Sequence, residues 1–410
     1  MDDLLFLAHR IPYPPRKGDK IRSYHLLRAL AERYRVHLGA FVDDAEDECH
    51  GAAVAAICTG ETRLIQLDPW RAKWRAVRGV FTGDALTLPY YDHPQMRAWV
   101  GEILQRHPIR RVVVYSAAPA QFLRGIDPSI RRVIDFVDVD SAKWGEYAEG
   151  RSGFARWLYR RESRALLAAE KEIASTFDAA LFVSEPEAAL FRSLAPESEA
   201  KIDYWENGVD LEFFSPDRDY SNPFQPGELP LVFTGAMDYW PNVDAVTWFA
   251  HEVFPRVRSA IPEARWVIVG GRPTREVLKL RALPGVVVTG NVPDVRPWLY
   301  WSKAAVAPLR IARGIQNKVL EAMAMGRPVL ATSQAMEGVR HGPLLRRWMA
   351  DSPDELVVKA KALLMGADED GAQPACGQLG RALMQEQYHW GRNLARAMAA
   401  VEGLPMGFGV

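Results

Sequence analysis

The chain has 410 residues, of which 51 are Lys or Arg and 51 are Asp or Glu, so its formal net charge is zero. This balance excludes a nucleic-acid protein that binds by neutralising phosphates. The length predicts two or three domains. The three cysteines have no CxxC spacing, which is typical of a reducing compartment and excludes the usual structural zinc sites.

Short apolar segments alternate with amphipathic stretches, which predicts parallel sheets covered by helices on both faces. The strands predicted in the first half are residues 4–8, 36–41, 63–67, 111–115, 132–137, 179–183 and 201–205. Those predicted in the second half are residues 231–233, 266–269, 286–289, 304–308 and 328–331. Helices are predicted between them, for example over residues 21–33 and 156–177, and a last helical stretch is predicted over 378–402.

A polar, proline-rich stretch without periodicity, residues 213–230, is predicted to link two doubly wound domains. The N-terminal domain would span residues 1–212 and the C-terminal domain residues 231–385. Residues 386–410 are predicted to form a helix that packs back toward the N-terminal domain. Two such domains suggest a cleft, and ligands bind beyond the carboxyl ends of strands in sheets of this kind.

The segment 304–338 carries the most informative motif, because a buried strand leads through a charged loop into a helix. The loop holds Arg310, Arg313 and Gly314, and the helix start offers free N–H groups for a phosphate. Lys318 lies in the first helical turn, and Glu321 is placed to accept hydrogen bonds from ribose hydroxyls. The alternative is an ordinary strand–helix–strand unit whose loop charges are solvated.

The sequence KVLEAMAMGRPV, from Lys318 to Val329, resembles the retaining glycosyltransferases of family 4, also called group 1, which adopt the GT-B fold. In that family the helix carries the second Glu of a Glu-x7-Glu motif, which corresponds to Glu321. The first Glu would fall at position 313, where this chain has Arg. The resemblance therefore implies a variant donor site in which Lys318 and Gly314 are kept.

Further segments extend the resemblance over almost the whole chain. They are WENGVD at 205–210, the glycine turn at 235–237, the strand and glycines at 267–271 and the turn at 289–292. The resemblance assigns donor binding to Gly235, Met237, Asn291, Val292, Arg310, Arg313, Gly314, Ile315, Lys318 and Glu321.

The Arg and Lys-Gly pair that many family members carry after the glycine turn is missing. Arg310, Arg313 and Lys318 are therefore expected to neutralise the diphosphate. Trp240 and Asn242, which lie in that region, could equally be a loop packed on its own helix.

The N-terminal half offers two further candidate sites. Gly18 matches a family loop that touches the donor diphosphate, and Asp19 and Arg22 open the next helix as part of an acceptor loop. A proline-rich loop with solvated charges is the alternative. The second site is DFVDVDS, residues 135–141, directly after a predicted strand.

The three carboxylates of this second site are catalytic candidates. Asp138, or failing it Asp135 or Asp140, is predicted to orient or deprotonate an acceptor hydroxyl. Asp138 and Asp140 also form a D-x-D triplet, which binds a metal in the GT-A fold. Because the rest of the chain resembles GT-B, no metal is predicted.

The resemblance implies a hexosyltransferase that moves a sugar, with retention and without a metal, from a nucleotide-diphosphate donor to a hydroxyl. A UDP- or GDP-sugar is the expected donor, and no other cofactor is expected. The expected acceptor is a glycan or a lipid-linked glycan in exopolysaccharide or surface polysaccharide synthesis. The alternatives are a catalytically silent GT-B subunit that supports another transferase, and a sugar-nucleotide epimerase or a phosphorylase on the same fold.

No signal peptide or uncharged apolar run of bilayer length is found, so a cytoplasmic protein is predicted. Residues 69–83 contain four basic residues, two Trp and no acid. Such a segment is typical of peripheral contact with an anionic membrane, here the cytoplasmic face of the inner membrane. The alternative is a surface helix whose Trp side chains pack on the core.

Overall fold

The computed structural model describes residues 1–15, 18–366 and 372–405. Its strands form two parallel sheets. The strands of the first sheet are β1 (Asp3–Ala8), β2 (Arg35–Val42), β3 (Thr62–Gln66), β4 (Arg111–Tyr115), β5 (Arg131–Val137), β6 (Ala179–Phe182) and β7 (Ile202–Tyr204). Those of the second are β8 (Leu229–Thr234), β9 (Ala264–Val269), β10 (Val286–Gly290), β11 (Ala304–Ala307) and β12 (Val329–Ala331).

Helices connect these strands. In the first half they are α1 (Gly18–Arg33), α2 (Gly51–Ala55), α3 (Pro69–Thr82), α4 (Thr87–Tyr91), α5 (Pro94–Arg106), α6 (Asp140–Glu149), α7 (Gly153–Thr176) and α8 (Glu185–Leu194). In the second half they are α9 (Trp240–Trp248), α10 (Phe254–Ala260), α11 (Arg275–Lys279), α12 (Arg296–Tyr300), α13 (Asn317–Ala324), α14 (Pro343–Arg346), α15 (Pro353–Met365), α16 (Ala372–Gln387) and α17 (Trp390–Glu402).

The first sheet has the order β3-β2-β1-β4-β5-β6-β7, and the neighbouring strands are parallel. All six residues of β1 are buried, because helices cover both faces of the sheet. Continuous apolar runs such as VVVY in β4 are typical of strands buried in this way. The order places β1 beside β4, so the chain winds outward in opposite directions from these two strands.

The second sheet has the order β10-β9-β8-β11-β12 and is also parallel. Its core is a separate cluster of buried side chains that includes Phe233, Trp266 and Leu320. Strands β8 and β11 are the neighbours at which the winding direction reverses. The predicted architecture of two doubly wound α/β domains is confirmed by these two sheets.

The chain divides into two compact units, residues 1–206 with 394–410, and residues 207–393. The first unit ends six residues before the predicted boundary at 212, and residues 213–230, predicted as a linker, belong to the second unit. The C-terminal segment from Leu394 belongs to the first unit.

The helical stretch predicted over 378–402 is two helices, because the backbone between them pairs with another segment. The amide of Val209 donates to the carbonyl of Tyr388 at 2.8 Å, and the amide of Arg340 donates to its hydroxyl at 2.8 Å. These contacts fix the fully buried Tyr388 between α16 and α17. The carbonyl of Tyr388 thus accepts from Val209, while its amide keeps the helical hydrogen bond to Met384 at 3.0 Å.

Candidate functional site

The carboxyl ends of β8 and β11 form the point in the second unit where the strand order reverses. In open parallel sheets ligands bind beyond the strands at such a point. The residues predicted to bind a donor follow these two strands and β10. The topology thus brings most of the predicted donor residues to one edge of one sheet.

The ends of β8 and β9 each require a glycine. Gly235 has a φ of +155°, and a Cβ atom there would lie 2.8 Å from Nδ2 of Asn242. A Cβ atom on Gly270, after β9, would lie 1.7 Å from the carbonyl oxygen of Gly235. The backbones at the ends of β8 and β9 therefore approach more closely than any larger residue allows.

The other predicted residues at the ends of β8 and β10 differ in exposure. Met237 is fully buried, and its amide donates to the carbonyl of Gly271 at 2.9 Å, so it anchors the turn. Asn291 is exposed and lies beside Gly271. A Cβ atom on Gly271 would lie 3.4 Å from Oδ1 of Asn291. Val292 is half-buried. Of these three, Asn291 offers polar atoms at the surface.

Asn242 connects the glycine turn to the helix that follows β11. Its Nδ2 atom donates to the carbonyl of Ala236 at 2.9 Å, and its Oδ1 atom accepts from Nζ of Lys318 at 2.5 Å. The side chain is buried, with 5 % of its surface exposed. This hydrogen bond fixes the amine of Lys318 at the point where the strand order reverses.

Lys318 and Glu321 lie one turn apart on α13, in partly buried positions. Burial lowers the pKa of Lys318, and the charge of Glu321 opposes that shift. Burial likewise raises the pKa of Glu321, and Lys318 opposes it. Nζ of Lys318 also lies 4.4 Å from the centroid of the Phe233 ring. An amine and a carboxylate at a helix start are thus held in a weakly solvated environment, where electrostatic interactions are stronger than in water.

Arg310 is directed at an acidic partner in the same unit. Its Nε atom donates to Oδ2 of Asp244 at 3.0 Å, and a second guanidinium nitrogen contacts the other carboxylate oxygen. The guanidinium also lies 5.3 Å from the centroid of the Trp248 ring. Asp244 therefore already balances the charge that was predicted to neutralise a diphosphate.

The remaining predicted residues of this loop lie between β11 and α13. Gly314 has a φ of +63°, the left-handed conformation that glycine adopts without strain. Ile315 is buried, and Arg313 is half-buried with its carbonyl accepting from Nε2 of Gln316 at 3.0 Å. The left-handed residue turns the chain into the start of α13, which positions Lys318.

In the first unit the strand order reverses between β1 and β4, and His9 follows β1 there. Its ring stacks on Tyr115 with centroids 5.9 Å apart and planes 13° apart, and it meets the edge of Tyr91 at 5.9 Å. His9 is not among the site residues predicted from the sequence. Its position directly after the first strand was the available signal.

Arg22 and Asp135 form a buried ion pair. Nε of Arg22 donates to Oδ2 of Asp135 at 2.9 Å and Nη2 donates to Oδ1 at 3.2 Å, while the indole of Trp205 donates to Oδ2 at 3.0 Å. Burial raises the pKa of Asp135, and the charge of Arg22 and the hydrogen bonds oppose that shift. Both side chains are almost completely buried. Neither therefore presents polar atoms to a substrate, although both were predicted to do so.

Gly18 and Asp19 are the first residues of α1. Gly18 is exposed, as a residue that approaches a ligand through its backbone must be. The side chain of Asp19 lies outside the part of the chain that the structure describes, as do residues 16 and 17. The roles predicted for Gly18 and Asp19 stay predictions.

Asp138 and Asp140 share one lysine at the end of β5. Nζ of Lys143 lies 2.5 Å from Oδ2 of Asp138 and 3.2 Å from Oδ1 of Asp140. The exposed fraction of the side chain is 17 % for Asp138 and 41 % for Asp140, so both reach solvent. The two carboxylates of the D-x-D triplet therefore already pair with Lys143, which does not favour a metal ion at this position.

Two buried glutamates from neighbouring helices hold the loop that carries these aspartates. Oε2 of Glu187 accepts from the amide of Val139 at 2.6 Å. Oε1 of Glu170 accepts from the amide of Ser141 at 3.1 Å, and its other oxygen contacts the Ser141 hydroxyl. Burial raises the pKa of Glu170 to about 8, although the hydrogen bonds from Ser141 oppose the shift. Neither glutamate is predicted from the sequence, since helical residues that face inward carry no motif.

Asp3, His37 and His107 form a cluster with the spacing of metal ligands among the residues that the structure describes. Nδ1 of His37 accepts from the amide of Glu61 at 3.0 Å, so its proton is on Nε2, which lies 2.8 Å from Asp3. A metal bound at Nε2 would need the opposite tautomer. Arg35 also pairs with Asp3, at 2.6 Å, so the cluster is satisfied without an ion.

Residues 228–365 match the family described as "Glycosyl transferases group 1". The matched segment contains the glycine turn, Asn242, Lys318 and Glu321. A search of the curated proteins gave no match.

Solved structures with the same fold cover nearly the whole chain. Sucrose-phosphate synthase from Thermosynechococcus elongatus aligns with a TM-score of 0.71 at 15% identity, over 98% of this chain and 99% of its own. Anabaena HepE in complex with UDP and glucose aligns with a TM-score of 0.68 at 12% identity, over 98% of this chain and 100% of its own. WaaG, a glycosyltransferase involved in lipopolysaccharide biosynthesis, aligns with a TM-score of 0.65 at 19% identity, over 98% of this chain and 100% of its own. The chain thus has the GT-B fold, and the family match together with these neighbours supports a sugar transferase.

Proposed function

We propose that the protein is a retaining hexosyltransferase that moves a sugar from a UDP- or GDP-sugar to a hydroxyl of a glycan or lipid-linked acceptor. The setting we propose is exopolysaccharide or surface polysaccharide synthesis in the cytoplasm. HepE was crystallised with UDP and with UDP-glucose, and WaaG acts in lipopolysaccharide biosynthesis, which makes this substrate class the natural candidate.

The single observation that carries the proposal is the position of the Lys318 amine. It is held by Asn242 at the start of α13, where the strand order of the second sheet reverses. A lysine there, combined with the positive end of the helix, suits the diphosphate of a nucleotide donor. Glu321, one turn further along α13, is the candidate acceptor of hydrogen bonds from the ribose hydroxyls.

In the proposed reaction the bond between the anomeric carbon and the diphosphate oxygen breaks, and its electron pair stays on that oxygen. Lys318 and the helix start stabilise the negative charge that develops there, which is the role of a metal in other transferases. The new bond forms from the acceptor oxygen to the anomeric carbon on the face that the diphosphate leaves. The reaction therefore requires no metal ion in this proposal.

Asp138 is the proposed partner of the acceptor hydroxyl. Lys143 contacts its Oδ2 atom, and Oδ1 accepts no hydrogen bond from the residues that the structure describes. Oδ1 can therefore orient the hydroxyl or receive its proton. Asp135 is left out of this role because its carboxylate is buried against Arg22.

Titration of the purified protein with UDP, GDP and ADP, followed by calorimetry, tests the donor half of this proposal. We expect UDP or GDP to bind and Lys318→Met to weaken that binding by about tenfold or more, because a charged hydrogen-bond donor is lost. Lys279→Met, which removes an exposed lysine of the same unit, is the matched control. Equal affinities of the two variants and the parent protein would contradict the proposal.

Transfer by the protein alone tests the remaining parts. Activity that survives EDTA supports metal independence, whereas a loss restored by manganese would support the D-x-D alternative. The anomeric configuration of the product, read by NMR, decides between retention and inversion. Nucleotide binding without transfer to any hydroxyl acceptor would favour a silent GT-B subunit.

A further inference from the structure

Two tryptophans of α3 point into solvent, although the alternative given above would pack them on the core. The exposed fraction is 74% for Trp70 and 73% for Trp74, and Val77 is 47% exposed. Residues spaced by four and three positions lie on one side of a helix. These three side chains therefore form an apolar stripe along α3 that no described residue covers.

The start of α7 carries a second pair of exposed apolar residues, which no sequence motif indicates. Phe154 is 75% exposed and Trp157 is 52% exposed, and their rings stack with centroids 5.5 Å apart. Trp157 lies one turn before Arg161, whose guanidinium donates to the carbonyl of Gly79 in α3. The two apolar features thus belong to neighbouring helices that are in contact within one unit.

Exposed basic side chains lie in the same two segments as these aromatic residues, and one of them, Arg71, also pairs with the exposed Asp68 at 3.4 Å. On α3 they are Arg71 and Lys73, and around the start of α7 they are Arg151, Arg156 and Arg160. The sequence has no acidic residue over positions 69–83 or 150–161. The exposed aromatic and basic side chains of these two segments are called the aromatic–basic patch below.

We propose that the aromatic–basic patch docks on an anionic phospholipid surface, with the aromatic rings entering the headgroup region and the arginines and lysines contacting lipid phosphates. Tryptophan favours that region because its ring is apolar and its N–H is polar. Pairing of two copies through this patch would bring like charges together, so charge complementarity favours an anionic partner. This inference does not depend on the proposed sugar transfer.

Co-sedimentation with vesicles tests the proposal. The full-length protein is mixed with vesicles of phosphatidylglycerol and phosphatidylcholine, and with vesicles of phosphatidylcholine alone. We expect binding to the anionic vesicles that weakens as salt is added, because screening shortens the range of the attraction. Equal binding to both vesicle types, or no binding to either, would overturn the proposal.

Two double variants locate the contact. Trp70→Ser with Trp74→Ser, and separately Phe154→Ser with Trp157→Ser, should each weaken partitioning by about tenfold or more. Arg156→Gln with Arg160→Gln should weaken it by about fivefold for each charge removed. The last pair tests the patch even where an aromatic variant folds poorly, since exposed arginines contribute little to the core.

Val358→Ser is the matched control, because Val358 is 67% exposed on α15 in the other unit. It should bind anionic vesicles like the parent protein, and every variant should bind nucleotide like the parent protein. Vesicle binding that all the patch variants retain would overturn the proposal. Concentration-dependent self-association in sedimentation velocity, lost in the tryptophan variants, would also overturn it and assign the patch to a second copy of the chain.

Discussion

The amine of Lys318 donates to the side-chain oxygen of Asn242, 2.5 Å away, while the amide nitrogen of the same Asn242 donates to the carbonyl of Ala236. One asparagine thus ties the amine on α13 to the glycine turn after β8. It fixes the direction in which the remaining protons of the amine can point. Its substitution should affect nucleotide binding even though Asn242 itself need not touch the nucleotide.

Asn242→Leu should weaken nucleotide binding by about tenfold, because the amine loses its fixed direction and a buried hydrogen bond is removed. Asn242→Asp should act differently. A carboxylate beside Lys318 raises the pKa of the amine, so the loss of nucleotide binding at alkaline pH should move to a higher pH than in the parent protein. Calorimetric affinities measured from pH 6 to 10 check both expectations. A pH dependence that Asn242→Asp leaves unmoved would argue against a protonated Lys318 as the anion ligand.

Glu321→Ala should reduce nucleotide affinity by about tenfold without unfolding the protein, because the carboxylate lies partly buried beside Lys318 and not within the apolar core. A nucleotide that lacks a ribose hydroxyl provides the control. If Glu321 accepts a hydrogen bond from the 2′-hydroxyl, the parent protein and the variant should bind the 2′-deoxy nucleotide equally well. A variant that weakens both nucleotides by the same factor would instead assign Glu321 to the support of Lys318.

Asp138→Asn should lower turnover by about 100- to 10,000-fold while donor affinity stays nearly constant, since general-base assistance is typically of that size. Asp140→Asn is the matched control, because Asp140 contacts the same Lys143 and is more exposed. We expect a smaller loss from Asp140→Asn. Single-turnover rates with saturating donor measure the difference, and equal rates for both variants would remove Asp138 from the proposed role.

Asp135→Ala should destabilise the fold by about 3–5 kcal/mol, because Arg22 would keep a buried charge with no carboxylate beside it. The double variant Arg22→Met with Asp135→Leu should recover much of that stability, since apolar residues can replace a buried ion pair. Urea unfolding of the single and double variants measures both effects. A single variant as stable as the parent protein would contradict the structural role of the pair.

The strands could be predicted from the sequence because the signal is local. Runs such as VVVY in β4 and LLFLA in β1 are apolar without interruption, and each predicted strand overlaps an observed one. The motif around Lys318 also predicts its helix from local residues. The secondary structure follows from such short segments.

The burial of Asp135 could not be predicted, because its partner is distant in the sequence. Asp135 and Asp138 look alike in the sequence, yet Asp135 meets Arg22 from 113 positions away while Asp138 meets Lys143. Val137, with a φ of +74°, interrupts the regular alternation of the strand between them. Which carboxylate is buried is therefore decided by packing between segments that no local pattern reveals.

Glu170→Gln should make the protein more stable above neutral pH. The pKa of Glu170 is raised from 4.5 to about 8 in the folded protein, so between these values the unfolded chain releases a proton that the folded chain keeps. The stabilising contribution of the protonated form is thus complete below about pH 4.5 and is lost as the pH rises toward 8, by several kcal/mol. Glutamine has the same shape, and it can accept from the Ser141 amide and donate to the Ser141 hydroxyl without a charge. Asp140 and Lys143, whose charges act on Glu170 with opposite signs, stay unchanged in this variant.

Melting temperatures of Glu170→Gln and the parent protein at pH 5, 7 and 8.5 should therefore diverge, with the variant above the parent protein only at the higher pH values. Glu172→Gln, on the exposed side of the same helix, should follow the parent protein at every pH. Parallel melting curves for Glu170→Gln and the parent protein would show that Glu170 is ionised in the fold.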